Sequence, residues 1–333
     1  MVANNTKITD KEFIDLWEKH YSITEMAKET GLNVRSLNHR RRRLEEKLGK
    51  PFVPKAQQST SLKFTEVAER QRLKGKERAE LGILNGTVIV FSDAHYWPGI
   101  RTTAHKALLW AIESFQPQAV IANGDIFDGA SISRHSPIMW THSPSVIQEL
   151  QACQACMGEI EEMAKKARHN VRLVWPYGNH DARFASRLAQ VASEYANVNG
   201  TSLKDHFPTW EPCWSAWIND STIVKHRFKN GVHATHNNTV NSGKNIVTGH
   251  LHSLKVTPFA DYNGNRFGVD TGTLAETNGP QFMDYMEDGP ANWRSGFAVL
   301  TFKDGRLLWP ELVHKWDEDL VEFRGEVINV GGY

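Results

Sequence analysis

The sequence predicts an α/β protein preceded by a small all-α module, and three observations carry that expectation. From Thr87 onward, short β-branched and apolar runs (TVIVF, AVIAN, VRLVWPY) alternate with stretches of helical periodicity (RTTAHKALLWAIESF and SPSVIQELQACQACMGEIEEMAKKA). That is the pattern of buried parallel strands joined by crossover helices. After about residue 215, runs such as DSTIVKHRF, KNIVTGH, LKVTPF, NRFGVD, FAVLTF and VEFRGEVINV are separated by turn residues, which predicts sheet and hairpins with little helix. Residues 10–48, by contrast, show helical spacing throughout.

Within that head, Asp10 is the expected cap of a first helix carrying Phe13, Ile14 and Trp17. Ser22 caps a second, SITEMAKET, which stops at Gly31, and Asn33 caps a third. In the third, Val34, Leu37, Leu44 and Leu48 are expected to form one apolar stripe, and Gly49 and Pro51 end the helix. Residues 51–86 are polar and charged and read as a linker with a short helix or arm. The expected organisation is therefore a helical domain at 1–50, a charged linker at 51–86 and the α/β domain at 87–333.

Composition narrows the class. With 333 residues, 40% hydrophobic and 23% charged, the chain has material for one large core and a smaller unit beside it. There is no run of about 18 apolar residues, so no membrane span is expected. The opening MVANNTKITDKEF carries no apolar signal segment. Cys153, Cys156 and Cys213 are too few for a disulfide framework, and the first two, mid-helix, read as core or helix-surface residues and not as a zinc pair. A reducing, cytoplasmic setting is the expectation, in a bacterium or a phage-infected host cell. The net charge of +1 divides unevenly: residues 1–80 hold 18 Lys+Arg and 12 Asp+Glu, a net +6, leaving −5 for the rest. A basic head on a mildly acidic body suits an anionic partner for the head.

Four clusters of polar residues each stand directly after a strand. VIVFSDAH contains Asp93 and His95, VIANGDIFD contains Asp125 and Asp128, LVWPYGNHD contains Asn179, His180 and Asp181, and NIVTGHLH contains His250 and His252. Ligands of open α/β sheets bind beyond the C-terminal ends of the strands. Residues i and i+2 of an extended segment point the same way, so Asp93 with His95, and His250 with His252, are each expected to present two donors to one place. Gly124, Gly178 and Gly249 permit the close backbone approach such loops need. Mixed Asp, His and Asn donors suit divalent cations such as Mn, Fe or Zn.

The ordered series D-x-H, G-D-x-x-D, G-N-H-D, a lone His and G-H-x-H resembles the calcineurin-like metallophosphoesterase superfamily, over residues 87 to about 275. The resemblance implies a four-layer sandwich of two mixed β-sheets flanked by helices, with two divalent metal ions at the strand ends (Mn favoured, with Fe, Zn or Mg as alternatives). It implies that Asp93, His95 and His252 hold the first metal, that Asp125 bridges both, and that Asn179, His250 and the lone His hold the second. His226, at the end of an apolar strand, is favoured as that His over His233 and His236, although the usual His-Gly is here His-Arg. His180 corresponds to the catalytic histidine and Asp128 to the carboxylate that orients it. A water activated by two metals would attack the phosphorus directly, without a covalent intermediate. Arg183 and His236 are candidate substrate contacts, whereas Arg134 and His135, after the GDIFD loop, read as a solvated loop in preference to a wall of the same cleft.

The head segment ITEMAKETGLNVRSLNHRRRR resembles a helix-turn-helix, with Ala27 at the helix contact, Gly31 at the turn and Leu37 packing the second helix. Arg35, Ser36, His39, Arg40 and Arg43 are then the candidate DNA contacts, Arg40 standing where such motifs commonly have an apolar residue. Together these readings imply a phosphodiesterase or nuclease directed to DNA. The alternatives are a phosphomonoesterase of protein, nucleotide or small esters, and a non-catalytic DNA-binding protein.

Overall fold

The computed structural model describes residues 8–52, 76–134, 143–286 and 289–333. The chain forms two compact units, Met1–Leu73 and Lys74–Tyr333. His135 and most of the expected linker lie outside the described residues.

The first unit is three helices, α1 (Asp10–His20), α2 (Ile23–Thr30) and α3 (Val34–Leu48). Phe13, Trp17, Ile23, Met26, Leu37 and Leu44 meet in its core. Ser22 and Asn33 cap α2 and α3, and Gly31 and Gly49 end them in the left-handed conformation. The first helix departs from expectation, because Thr9 caps it. Its hydroxyl accepts from Glu12 N–H at 3.2 Å and Glu12 returns the bond to Thr9 N–H at 2.6 Å. Thr9 has a glutamate three residues on to close this reciprocal box, whereas Asp10 has Phe13. Asp10 instead faces α3, with Arg43 at 2.8 Å, Lys47 at 3.3 Å and Arg40 at 3.6 Å. The expected four-residue stripe shortens to Leu37 and Leu44. Val34 and Leu48 are exposed, being in the end turns of a helix longer than the two that cover it. Arg35, Ser36 and His39 are exposed on the same helix.

In the second unit the strands of the described residues form one continuous ladder. Its centre is β2 (Gly86–Phe91), β3 (Ala119–Ala122) and β4 (Arg172–Pro176), paired in parallel. Crossover helices α4 (Thr103–Phe115) and α5 (Val146–Ala167) connect them, as parallel pairing requires. One end of the ladder continues through β5 (Glu211–Ile218), β6 (Thr222–Val224), β7 (Asn245–Thr248), β9 (Gly264–Asp270) and β8 (Lys255–Asp261). The other runs through β10 (Gly296–Lys303), β12 (Glu311–Asp317), β13 (Leu320–Phe323) and β14 (Glu326–Asn329), with β11 (Arg306–Leu307) beside β10.

Strand alternation separates two cores. Ile89 and Phe91 of β2, Val120 and Ala122 of β3, and Leu173 and Trp175 of β4 face α4 and α5. Their neighbours Val88, Val90, Ile121 and Val174 share a second core with Val224, Val247 and Val269. Residues from both arms of the ladder thus meet in one interior, so the sheet folds over itself into two facing layers. Helix α7 (Ala234–Ser242) covers β7 and β9 from outside, which completes the four-layer order.

Two segments differ from the sequence reading. KERAEL, within the expected linker, is strand β1 (Lys76–Leu81), paired in parallel with β5. Ala79 and Leu81 are buried in the inner core while the Arg78 guanidinium lies 3.6 Å from the Trp217 ring. Arg78 and Glu80 alternate outward with these and hide a strand. Helix α7 falls where little helix was expected, in a stretch poor in helix formers. The reason is topological: β6 and β7 pair in parallel, and such a pair needs a crossover.

The seating of α7 depends on Gly268 of β9. A Cβ there would collide with the Thr235 carbonyl and lie 2.4 Å from Thr239 Oγ1. Gly268→Ala is therefore expected to destabilise the second unit by about 2 kcal/mol or more, as overpacking does. Urea unfolding followed by tryptophan fluorescence measures it, and an unchanged midpoint would refute this packing.

Candidate metal centre

All four polar clusters lie in loops leaving the C-terminal ends of strands, three from the adjacent β2, β3 and β4 and the fourth from β7, which lies beyond β5 and β6 in the ladder. The turn geometry is not the extended one read from the sequence. Asp93 (φ 53°), His95 (39°), Asp125 (53°), His250 (72°) and His252 (55°) all adopt the left-handed conformation. Each costs on the order of 1–2 kcal/mol for a residue with a Cβ. Cross-loop bonds hold them there: Asp93 N–H donates to Gly124 O (2.9 Å), His95 N–H to Asp125 O (3.0 Å) and His250 N–H to Asp93 Oδ2 (2.9 Å). A Cβ on Gly124 would stand 2.5 Å from the His226 ring, so this loop packs directly on that imidazole.

Three groups of donors result: Asp93, His95 and His252; Asp125, His226 and His250; and Asp128 with His95 and His180. Asp93 Oδ1 lies 3.1 Å from His252 Nε2, 4.0 Å from His95 Nε2 and 3.9 Å from His226 Nε2. Asp125 Oδ2 lies 3.0 Å from His226 Nε2 and 3.9 Å from His180 Nε2. The first two groups are therefore neighbours. The structure brings His226 to this place, not His233 or His236. His236 lies on α7 with its ring 5.5 Å from Phe259, in none of the three groups. His250 and His252 turn to different groups.

The other nitrogen of several rings is engaged. His226 Nδ1 lies 2.8 Å from the Asn123 carbonyl and His95 Nδ1 2.7 Å from Asp128 Oδ1, which in the neutral rings leaves Nε2 facing the carboxylates. His180 Nδ1 is 2.9 Å from the same Asp128 oxygen, so one carboxylate orients two imidazoles. Asn179 Oδ1 is buried and accepts no hydrogen bond from the described residues. Arg183 donates to the Asp128 carbonyl at 3.1 Å, and its other terminal nitrogen sits 3.1 Å from His180 Nε2.

Charge explains what these groups need. Burial works against ionising Asp93, yet His252 and His226 hold its carboxyl down to about 2. Burial likewise opposes ionised Asp125 and Asp128, and neighbouring imidazoles hold both far below the carboxylate range. The same pairing raises His226, against burial, to about 10. His180 is also raised against burial, through Asp128, with the Arg183 charge opposing. Three nearly buried carboxylates require positive charge among them, which protons or metal cations supply in competition.

Several supporting residues had no assigned role in the sequence reading. Asp181 accepts N–H bonds from Asp125 (2.9 Å), Ile126 (3.0 Å), Phe127 (3.1 Å) and Gly178 (2.9 Å), and from Trp175 Nε1 (3.1 Å). Burial and Asp125 push its own carboxyl up to about 6. Glu149, on α5, accepts from Gly129 and Ala130 N–H, just after Asp128. Asp270 receives Ser253, Leu254 and Gly272 N–H and fixes the turn after His252. Phe282 and Trp293 pack against His252, with centroids at 5.5 and 4.7 Å. Only the GNHD spacing signalled any of these. An open cleft of about 340 Å³ adjoins the centre, with Asn179 and Arg183 in its wall.

This loop set on this sheet defines a metal-dependent phosphoesterase. The family model for the calcineurin-like phosphoesterase matches residues 86–270, and the chain belongs to that family. It is 27% identical to the Gene 54 protein of Mycobacterium phage L5, over 68% of this chain and 92% of that protein. Among solved structures, wild-type Vps29 of Entamoeba histolytica complexed with zinc is 13% identical over 74% of this chain and 99% of that one, with a TM-score of 0.36. A dimetal phosphatase from Danio rerio is 10% identical over 74% and 98%, with a TM-score of 0.30. Among the described residues no helix is long and apolar enough to cross a membrane.

The Asp181 carboxylate ties the Asp125 loop to the GNHD turn, so its loss strands several buried N–H donors. Asp181→Ala is expected to cost on the order of 3–5 kcal/mol and to lower bound metal well below that of the unaltered protein. Thermal melting and elemental analysis after dialysis read both. Full metal content in a stable variant would show that Asp181 supports nothing at the centre.

Proposed function

We propose that the chain is a two-metal phosphodiesterase or nuclease, brought to DNA by its helical head. The observation that supports it is the adjacency of two buried donor sets, with His226 Nε2 3.0 Å from Asp125 and 3.9 Å from Asp93. The donors fit divalent cations: carboxylate oxygens, imidazole nitrogens with their other nitrogen engaged, and an orphaned buried amide oxygen. Asp93, His95 and His252 would hold one ion, Asn179, His226 and His250 the other, and Asp125 would be shared. Bound there, the ions supply a water that ionises near neutral pH and positive charge against the phosphoryl oxygens.

This chain's own groups then handle the leaving oxygen. Asp128 holds a proton at His180 Nδ1 and keeps the ring raised, while Nε2 accepts from the Arg183 guanidinium in this structure and becomes the proton donor to the leaving oxygen once Arg183 turns to a phosphate oxygen. Arg183, anchored on the Asp128 carbonyl, extends its second terminal nitrogen beside His180 Nε2, where it orients a phosphate oxygen. With water as the attacking group, no side chain forms a bond to phosphorus.

In the head, Arg35, Ser36 and His39 lie on the exposed face of α3, suited to phosphate and base-edge contacts. Arg40 and Arg43 share the single Asp10 carboxylate with Lys47, so this side of the helix keeps a net positive charge.

Two outcomes are expected. Protein stripped of metal loses hydrolysis of bis-p-nitrophenyl phosphate and regains it with a divalent ion, Mn being the favoured choice, whereas Asp125→Asn stays at least about 100-fold lower after reloading. Full activity and metal content in that variant would overturn the catalytic part. Duplex DNA binding by the full chain should weaken steeply with salt, and Arg35→Ala should reduce the log–log slope by about one. A flat salt response removes the DNA part alone.

A further inference from the structure

The cleft beside the centre is walled by Ile132, Arg134, Arg183, Arg187, Gln190 and Arg227, with Asn179 at its inner edge. Four of the nine described residues that line it are arginines, and among the described residues no carboxylate or aromatic ring lines it. Helix α6 (Asp181–Val191) builds one wall. Arg183, Ser186, Arg187 and Gln190 are spaced i, i+3, i+4 and i+7, a single helical face. The helix begins in the GNHD turn, so the position of His180 and the direction of this face are set together. Arg227 comes from the opposite side, one residue beyond His226.

Arg187 and Arg227 are exposed and form no ion pair or hydrogen bond among the described residues. Elsewhere in this chain arginines commonly find an acid: Arg101 with Glu159, Arg172 with Glu211, Arg266 with Asp261 and Arg324 with Glu311. Like charges gathered around one concavity repel each other, and an anion relieves that cost. Guanidinium forks match phosphate oxygens in particular.

The number of charges decides the class of substrate. A simple monoester carries one phosphate, which the donor groups and Arg183 already address, and leaves three arginines facing nothing. A phosphodiester strand carries further phosphates at each step from the scissile bond. Among the described residues the cleft has no aromatic platform for bases, so their contacts read the backbone and not the sequence. A volume of about 340 Å³ is at the small end for ligand clefts and accepts one strand.

We infer that this arginine-walled cleft is a subsite for phosphates flanking the scissile one, and that the substrate is a single nucleic-acid strand several nucleotides long. The inference rests on the phosphodiesterase reading above and specifies its substrate. Arg187 and Arg227 are its specificity-determining residues.

The test compares the full-length, metal-loaded protein with Arg187→Ala and Arg187→Ala/Arg227→Ala. One measurement is the ratio of kcat/KM for hexathymidylate to kcat/KM for bis-p-nitrophenyl phosphate. The other is fluorescence anisotropy of a labelled phosphorothioate hexathymidylate, which reads binding without turnover. The N-terminal unit is common to all three proteins, so its contribution cancels in the comparison. The paired variant is expected to lower the ratio and the affinity at least about tenfold, mostly through KM, and to flatten the salt dependence of binding by a slope of about one to two. Equal ratios and equal binding in all three proteins overturn the inference, as does tighter binding of a phosphoserine peptide than of the strand. Should the paired variant lose its native melting temperature, Arg187→Ala alone carries the test. Arginine-dependent binding without hydrolysis of any ester would sink the catalytic reading and leave the subsite standing. Hydrolysis of bis-p-nitrophenyl phosphate with no arginine dependence would do the reverse.

Discussion

Three carboxylates, Asp93, Asp125 and Asp128, are buried together at the ends of adjacent strands, and the rest of the second unit is organised around that fact. Ionised oxygens removed from water need compensating charge and hydrogen bonds on every side. The imidazoles of His95, His180, His226 and His252 surround them, and backbone N–H groups approach from neighbouring loops. A fold that merely needed stability would fill this volume with apolar side chains, as it does one layer away where Ile121 and Val174 meet Val247. The concentration of acids and imidazoles is sensible only if the site exchanges protons for a cation of higher charge.

That demand is met by accepting backbone strain. Five of the donor-bearing residues hold left-handed φ angles, and none of them is glycine. The strain is overdetermined by the bonds that lace the loops together, with Asp181 as the hub between the Asp125 loop and the GNHD turn. Rigid strands with fully buried residues lie directly behind each loop, so the turns cannot relax by letting the sheet move. Pre-organisation of this kind fixes donor positions before any ion arrives, at a standing cost to the stability of the unit.

Much of this was legible in the sequence, and its limits have identifiable causes. Strands β2, β3, β4 and β7 were readable because they are buried on both faces and so carry unbroken β-branched runs. The residues after them stood out because Asp, His and Asn rarely follow such runs in so regular a series. The reason offered for their convergence was different, since left-handed turns and not extended alternation aim the side chains. Strand β1 was hidden because, among its described side chains, Ala79 and Leu81 face the core while Arg78 and Glu80 beside them are charged and exposed. Helix α7 was hidden because topology, not propensity, makes it. Glu149 and Asp270 were out of reach because each acts through backbone N–H groups of a distant loop, which leaves no spacing to recognise.

The arginine cleft marks where local pattern stops being informative and geometry takes over. Arg183 and Arg187 on an amphipathic helix are indistinguishable, in sequence, from any solvated helical face. Their meaning depends on where the helix starts. The GNHD turn both delivers His180 to the centre and launches α6 from the same point, so a polar face that would otherwise be unremarkable is aimed along the exit from the donor groups. Arg227 gains its place in the same way, as the first residue beyond a histidine whose ring is fixed by Asn123. Chemistry at the centre is set by residues common to many phosphate esters. Discrimination among them must come from what lies one side chain further out, and in this protein that shell is cationic.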